Sequence, residues 1–266
     1  MPGLAGHFLF DFYISCYIIY NMKNLTLYCN CYNKHENLHT QFDQKNIMCG
    51  SVNLDLNYKA ELLNKNFLFD DTGDNISDLN KYFSDLTGLY WVWKNTNHEF
   101  VGTNQWRRYY NEQFINQLKY DDKTIYVSEP YKFGLNTYDQ YVYNHGEIGL
   151  LILKEAASKG NIKLEPNLVD KLKSINFLSP ANMFFAQNAL FNKLCSILFE
   201  IILEVYEGSK YSLPYIQKPI DDAPEYNNNR VPAFLAERVL NIIYIEKDYY
   251  LGTGYDVVSV PWRHHD

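Results

Sequence analysis

The chain has 266 residues, of which 47% are hydrophobic and 21% are charged, and its mean hydropathy is −0.36. These values are typical of a globular protein and exclude a disordered chain or one with many membrane spans. The net charge of −7 and the isoelectric point near 5.5 argue against nucleic acid as a partner, because nucleic-acid-binding proteins usually carry a basic face. We expect one large domain.

The five cysteines indicate the redox compartment. Their number is odd, and no two of them form a Cys-x-x-Cys pair. Neither a disulfide framework nor a structural zinc site is therefore indicated. We expect reduced thiols and a cytoplasmic location.

The N-terminal segment differs in composition from the rest of the chain. The apolar run from Phe8 to Tyr20 is interrupted by Asp11 and is too short to span a membrane. It also lacks the basic leading segment and the cleavage site of a signal peptide. We expect residues 1–21 to be an N-terminal extension, residues 22–266 to form the domain, and no integral membrane segment. A membrane-surface anchor is the alternative role for the extension.

Strands and helices alternate along the predicted domain. Strands are predicted at 24–31, 98–103 and 124–127 from their β-branched and aromatic residues. Between the first two, an apolar stripe predicts a helix that begins at Ser77 or Asn80. This alternation predicts an α/β fold with a mostly parallel central sheet flanked by helices.

The second half of the chain continues this pattern. Helices are predicted at 139–158 and 189–207, with Gly208 ending the latter. Residues 217–229 are rich in Pro, Asp and Asn and predict a surface loop.

A last helix is predicted to begin near Pro232. Its apolar positions, such as Leu235 and Val239, should face the core and leave Glu237 and Arg238 on the opposite side.

Ligands of such sheets bind beyond the carboxyl ends of the strands. The residues that follow the first two predicted strands are Asn30 to Lys34 and Gln105 to Arg108. These two segments are the first candidates for a binding site.

An acidic cluster at residues 70–77 precedes the predicted helix. Its Asp, Gly and Asn residues are turn formers, so a simple turn is one interpretation. A calcium loop is a second interpretation, although the distal Glu of an EF-hand is missing. A third is a nucleotide or sugar site, in which carboxylates and amides accept hydrogen bonds from hydroxyl groups.

The helix that follows presents two faces. Phe83 and Leu86 belong to its apolar stripe, whereas Thr87, Trp91 and Lys94 form a second stripe at helical spacing. The second stripe is explained either by packing with a solvated lysine or by a binding surface.

Two adjacent arginines, Arg107 and Arg108, follow the strand predicted at 98–103. The guanidinium group makes bidentate contacts with phosphate, so a diphosphate site is one interpretation. A surface salt-bridge pair is the other.

In order and spacing, these three segments resemble a family of exopolysaccharide- and capsule-type glycosyltransferases that is carried as a domain of unknown function. The resemblance rests on Asp71 to Ser77, on Leu86 to Asn95, and on Arg107 to Tyr109. It continues less strongly at Tyr141 to Glu147 and in two later segments, which are Ala181-Asn182-Met183-Phe184 and Leu235 to Asn241.

The resemblance implies a GT-A-like α/β domain that moves a hexose or hexosamine from a nucleotide sugar, most commonly a UDP-sugar, to a glycan acceptor. Glu237 is the first candidate for the catalytic base, with His145 and Asp74 as alternatives. The resemblance implies further that a larger group binds the nucleotide sugar: Asn30, Asp71, Asp74, Asn75, Thr87, Tyr90, Trp91, Lys94, Gln105, Arg107, Arg108 and Asn182.

One departure from the family pattern concerns a metal ion. The His-Tyr pair that precedes the family's arginines is Gln105-Trp106 in this chain, and Gln and Trp are poor ligands for a divalent cation. Either Asp70, Asp71 or Asp74 supplies a carboxylate to Mn²⁺ or Mg²⁺ from another loop, or the cationic side chains neutralise the diphosphate instead.

Two other classes of function stay open at this point. The same departure, together with the many aromatic residues, is compatible with an inactive or carbohydrate-binding relative. A structural protein rich in Tyr and Asn is the third alternative. The oligomeric state is also left open.

Overall fold

A computed structural model describes residues 25–32, 43–118, 120–158, 164–165, 167–211 and 230–264. Their central feature is a nine-stranded mixed sheet with the main order β10-β6-β9-β4-β1-β2-β3, to which β5 is added beside β4 and β11 beside β5. The strands are β1 Leu25–Cys31, β2 Asp43–Met48, β3 Leu68–Phe69, β4 Phe100–Gln105, β5 Arg108–Tyr110, β6 Thr124–Ser128, β9 Phe184–Gln187, β10 Asp256–Val260 and β11 Trp262–His264. Two short strands, β7 Tyr131–Lys132 and β8 Phe177–Leu178, form a separate antiparallel pair.

The predicted mostly parallel sheet is confirmed. Strand β1 pairs in parallel with both β2 and β4, β2 pairs in parallel with β3, and β10 pairs in parallel with β6. Strand β9 runs antiparallel between β4 and β6, which makes the sheet mixed.

Helices cover both faces of this sheet. They are α1 Leu56–Asn64, α2 Asn80–Phe83, α3 Leu86–Asn95, α4 Glu112–Ile115, α5 Thr137–His145, α6 Ile148–Ser158, α7 Leu168–Lys171, α8 Asn188–Tyr211, α9 Val231–Ile245 and α10 Lys247–Tyr250. Short 3-10 turns lie at Ser51–Asn53 and Ser77–Leu79.

Side chains of β1 alternate between two cores. Tyr28 belongs to the large cluster that includes residues of α3, α6, α8 and α9, whereas Leu27 and Cys29 face clusters on the other side of the sheet. All seven residues of β1 are buried, as expected for an interior strand covered on both faces. Gly88 lets α3 lie close to β1, because a Cβ atom at this position would be 2.3 Å from Oδ1 of Asn30.

The helix predicted from Ser77 or Asn80 is divided in two. Ser84 has φ 52° and ψ −127°, a conformation that a helix cannot contain, so α2 ends at Phe83 and α3 begins at Leu86. Neither Ser77 nor Asn80 is the N-cap residue of a helix. The Ser77 hydroxyl donates to Asp70 instead, and the Asn80 side chain donates to the Ser84 carbonyl oxygen.

Three other helix predictions need correction. The helix predicted at 139–158 is interrupted at Gly146, which has φ 74°. The helix predicted to stop at Gly208 continues to Tyr211. Arg238, expected on the exposed side of the last helix, is only 2% exposed, because α9 is buried over most of its circumference.

The extension predicted at residues 1–21 and the loop predicted at 217–229 lie outside the described residues. Within the described part, no helix is long and apolar enough to cross a membrane.

Candidate functional site

A cleft of about 960 Å³ lies at the carboxyl ends of the parallel strands. Tyr32 follows β1, Gly50 follows β2 and Gln105 ends β4, and all three line the cleft. Its other walls come from the turn that precedes β9 and from α5 and α9. This is the position at which open α/β sheets bind their ligands.

Asp85 is the carboxylate at the centre of this cleft's polar network. Its Oδ2 accepts hydrogen bonds from Nε2 of Gln105 at 2.5 Å and from Nδ2 of Asn182 at 3.2 Å. Burial, opposed by the Asn182 hydrogen bond and reinforced by the negative charge of Glu237, raises the pKa of Asp85 to about 6. The carboxyl group is therefore mostly ionised at neutral pH and easily protonated below it.

A strained turn brings Asn182 to the cleft. Ala181 and Asn182 have φ values of 67° and 52°, so two consecutive residues other than glycine adopt left-handed conformations. Hydrogen bonds hold this turn in place: the Gln105 amide donates to the Ala181 carbonyl oxygen at 3.0 Å, and the Thr103 hydroxyl donates to that of Asn182 at 3.2 Å. Strain of this kind persists where the surroundings fix it and is common at binding sites.

Glu237 of α9 supports the same turn from the other side. Its Oε1 accepts a hydrogen bond from the Ala181 N–H at 2.6 Å, and its Oε2 accepts one from Nη1 of Arg238 at 2.8 Å. The Arg238 guanidinium also donates to Oε1 of Gln140. The Glu237 side chain stays 22% exposed, so its carboxylate remains accessible from the cleft.

His145 lies at the end of α5, in the part of the cleft lined by aromatic residues. Its ring stacks on that of Phe234, with 3.9 Å between the ring centroids. Burial, followed by the positive charge of Arg238, lowers the pKa of His145 to about 4. The imidazole is neutral at physiological pH.

Positive charge enters the cleft from two directions. Arg107 stands in the turn between β4 and β5, Arg108 begins β5, and Arg230 precedes α9. The Arg107 guanidinium lies 4.1 Å from the centroid of the Trp106 ring, and Nη1 of Arg230 donates to the Ser84 hydroxyl at 3.2 Å. These groups can bind an anion such as a diphosphate.

Several buried polar atoms in the cleft lining have no hydrogen-bond partner among the described residues. They are Nε of Arg108, Nδ1 of His145, Oδ1 of Asn182 and Nε of Arg238. Unpaired buried polar atoms are uncommon in native proteins. Bound water or a polar ligand would supply the missing partners.

The structure brings six of the predicted site residues to this cleft: Gln105, Arg107, Arg108, His145, Asn182 and Glu237. They come from four separate segments of the chain, which the fold places together at one edge of the sheet.

A second group of predicted residues lies on the surface beside α3 and does not line the cleft. The Asp74 carboxylate accepts a hydrogen bond from the Tyr90 hydroxyl, and Trp91 donates to the Thr72 carbonyl oxygen at 2.9 Å. Nζ of Lys94 lies 3.6 Å from the centroid of the Trp93 ring, and the Asn75 side chain bonds to its own turn.

Three more predicted residues contact other parts of the protein. Asn30 is buried under Gly88, and the Thr87 hydroxyl donates to the Ser84 carbonyl oxygen. Asp71 forms an ion pair with Lys59. None of the three lines the cleft.

The neighbouring Asp70 fixes the turn that follows β2. Its buried carboxylate accepts hydrogen bonds from the backbone N–H groups of Gly50 and Ser51, at 2.8 and 2.9 Å, and from the hydroxyl groups of Ser51 and Ser77. The acidic segment therefore shapes the wall of the cleft without entering it.

Sequence reasoning missed Asp85, Ser84 and Arg230 as cleft residues. Asp85 was not selected, although it directly precedes the segment Leu86 to Asn95 that carries part of the family resemblance. The signal that could have identified it is an Asp directly before the Leu86-Thr87-Gly88 helix start, in a loop that faces the strand ends.

The cleft offers few ligands for a divalent metal ion. Among the residues that the structure describes, no group of three or more His, Cys, Asp or Glu side chains is arranged to hold a metal ion. Asp85 and Glu237 are the carboxylates of the cleft lining, and both already accept hydrogen bonds from protein donors. These residues do not fit a metal held by the protein alone.

The fold is that of an α/β protein with a polar cleft at the carboxyl ends of its strands. By sequence, the chain belongs to the family described as a domain of unknown function, DUF4422, whose model matches residues 32–248. The family resemblance predicted from the three segments is thereby confirmed. No curated protein matches the chain in sequence.

Among solved structures, the chain is similar to one described as the WbbM bifunctional glycosyltransferase, in its apo form. The TM-score is 0.62 and the sequence identity is 17%, and the match covers 91% of this chain and 45% of that one. The chain thus spans less than half the length of that protein. At this identity the likeness establishes the fold.

Proposed function

We propose that the protein is a glycosyltransferase that moves a hexose or hexosamine from a nucleotide sugar, in the first instance a UDP-sugar, to a glycan acceptor. The observation that carries this proposal is the cleft itself, in which two carboxylates and four arginines line one space at the carboxyl ends of β1, β2 and β4. Membership of the DUF4422 family and the fold shared with a glycosyltransferase support it.

The nucleotide is assigned to the side of the cleft formed by the ends of β1 and β2. Met48, Leu54 and Trp106 give this side an apolar surface on which a nucleobase can pack, and Tyr32 and Asn53 add polar groups.

The diphosphate is assigned to the arginines. Arg107 and Arg108 follow β4 directly, and Arg230 lies on the same cleft. Their positive charge would stabilise the negative charge that develops on the departing nucleoside diphosphate. Since Lys94 lies outside the cleft lining, it is not part of this assignment.

Glu237 is assigned as the base that removes the proton of the acceptor hydroxyl. It is accessible, and its two hydrogen-bond partners fix its orientation, as a general base requires. His145 is the second candidate, but a group with a pKa of about 4 is a weak base at neutral pH. Asp74 is withdrawn from this role because it lies on the surface beside α3.

The aromatic part of the cleft, near His145, is assigned to the acceptor glycan. Tyr131, Phe133 and Phe234 supply ring faces there, on which sugars commonly stack. A cytoplasmic location belongs to the same proposal, since the four cysteines of the described part are free thiols.

Binding of the nucleotide can be measured by titration calorimetry with UDP, GDP and dTDP, each with and without Mn²⁺. We expect one of these to bind. Replacement of Arg108 by Leu should weaken that binding by about 10- to 100-fold, because a charged hydrogen bond is lost. Arg263→Leu is the matched control, because Arg263 is exposed on β11 and does not line the cleft. Absence of binding by all three nucleotides, with or without the metal, would contradict the proposal.

An inactive or carbohydrate-binding relative is the second candidate. One observation favours it. Gln105 stands where the family has a histidine, and its amide donates hydrogen bonds to Asp85 and to the Ala181 carbonyl oxygen. Nucleotide binding without any hydrolysis or transfer of the donor sugar would support this alternative.

A further inference from the structure

We infer that Asp85 and Asn182 together form the surface that binds the donor sugar through its hydroxyl groups, and that this surface selects a neutral sugar over a hexuronic acid. The inference rests on the proposed function and adds the chemical class of the sugar. It also moves sugar binding from Asp74 and Asn75, which lie outside the cleft, to residues that line it.

Three side chains from separate elements meet at this surface. Asp85 precedes α3, Gln105 ends β4 and Asn182 precedes β9, and the two amides both donate to Oδ2 of Asp85. Asn182 is only 5% exposed, yet its Oδ1 has no hydrogen-bond partner among the described residues. A buried amide oxygen in a cleft lining is expected to have a partner when the ligand is bound.

The hydrogen bonds fix which atoms remain for a ligand. Nε2 of Gln105 is shared between the Asp85 carboxylate and the Ala181 carbonyl oxygen, and Nδ2 of Asn182 donates to Asp85. The two partners of the Gln105 nitrogen and the one partner of the Asn182 nitrogen are all acceptors, so the assignment of nitrogen and oxygen follows from the network. Three of the four amide hydrogens are thus used within the protein, and Oδ1 of Asn182 and the Asp85 carboxylate are the acceptors left for a ligand.

A surface of acceptors binds a ligand that donates. Sugar hydroxyl groups do so, and adjacent hydroxyls can reach a carboxylate and an amide oxygen together. A hexuronic acid would instead bring a carboxylate towards Asp85. The negative charge of Glu237 already acts on Asp85 at this place. Like charges in a partly buried site repel each other, so this sugar is rejected. The same repulsion directs the diphosphate away from Asp85 and towards the arginines.

The turn that carries Asn182 makes the surface rigid. Asparagine is one of the few residues that tolerate its φ of 52°, and the Thr103 hydroxyl holds its carbonyl oxygen. A rigid acceptor costs less conformational entropy on binding than a mobile one.

Donors that share a nucleotide and differ only at C6 test the inference. They are UDP-glucose with UDP-glucuronate, and UDP-galactose with UDP-galacturonate, measured beside UDP alone by titration calorimetry. We expect at least one neutral donor to bind about 10-fold or more tightly than its uronate counterpart. The variant Asn182→Gly, whose backbone tolerates the same φ, should weaken binding of that neutral donor by about 5- to 30-fold and leave binding of UDP within about 2-fold.

Asn66→Gly is the matched control, because Asn66 has a φ of 59° and does not line the cleft. It should change neither affinity. Equal binding of neutral and uronate donors would overturn the inference and leave the proposed function intact. An equal loss of UDP and of neutral donor in Asn182→Gly would do the same. Failure of every nucleotide and nucleotide sugar to bind would overturn both proposals.

Discussion

The Asp85 side chain lowers the stability of the fold, because its carboxylate is buried in the cleft. Its pKa is raised from 3.8 to about 6, so between these values the folded protein binds more protons at this site than the unfolded chain does. The free energy of unfolding therefore falls as the pH rises from about 4 to about 6, and it stays lower at neutral pH. The destabilisation comes from burying a charge that is held by neutral amides.

Replacement of Asp85 by Asn should therefore stabilise the protein at pH 7. Asparagine cannot ionise, and its side-chain oxygen can still accept from Gln105 and Asn182. We expect the free energy of unfolding to rise by about 1–3 kcal/mol at pH 7 and by much less at pH 4. Urea denaturation at both pH values measures this difference.

The exposed carboxylate Asp122 provides the control, since Asp122→Asn should leave stability nearly unchanged at both pH values. A loss of stability in Asp85→Asn at pH 7 would show that the ionised carboxylate contributes favourably, contrary to this account.

Individual site residues were predictable only in part. The arginines and Gln105 follow a strand whose end the sequence identifies, and Glu237, His145 and Asn182 came from the family resemblance. Asp85 could not be found in this way. Its position depends on the backbone conformation of Ser84, which no periodicity reveals.

At the scale of elements, the break between α2 and α3 determines the shape of the cleft. Ser84 lies between them, and its hydroxyl is within 3.1 Å of the Tyr32 hydroxyl and within 3.2 Å of Nη1 of Arg230. These contacts join the segment after β1 to the start of α9. The conformation of Ser84 is one that glycine adopts readily and other residues rarely do.

Two substitutions at Ser84 separate backbone strain from the hydroxyl contacts. Ser84→Ala and Ser84→Gly both remove the hydroxyl, but only glycine relieves the strain at φ 52°. The Gly variant should be more stable than the Ala variant by about 1 kcal/mol, even after the greater entropy of glycine in the unfolded chain is included. Chemical denaturation of the two variants tests this, and an Ala variant as stable as the Gly variant would contradict it.

The order of elements was largely readable from the sequence. Predicted strands near β1, β4 and β6 and the predicted long helix α8 correspond to observed elements, because their apolar patterns reflect burial on both faces of a sheet or on one side of a helix. The breaks at Ser84 and Gly146 were missed because tertiary contacts, and not local pattern, decide them.

At the scale of the whole molecule, the fold gathers the cleft from segments that are distant in sequence. The polar segments at 70–77 and in α3 attracted attention because they are dense in the sequence, yet many of their polar side chains bond to one another or to their own turns. The arginines and carboxylates of the cleft are scattered from Asp85 to Arg238 and converge only in three dimensions. The segments densest in polar residues predicted the cleft less well than the ends of the predicted strands did.

Release of nucleoside diphosphate from nucleotide sugars tests the proposed transferase activity most directly. The protein and its Glu237→Gln variant are incubated with UDP-, GDP- and dTDP-sugars, with and without Mn²⁺, and the free diphosphate is quantified. We predict that the unmodified protein releases diphosphate from at least one donor and that Glu237→Gln is slower by about 100-fold or more, with unchanged binding of the nucleotide. Glu200→Gln, on an exposed position of α8, should retain full activity. The absence of release from every donor, or full activity of Glu237→Gln, would contradict the account.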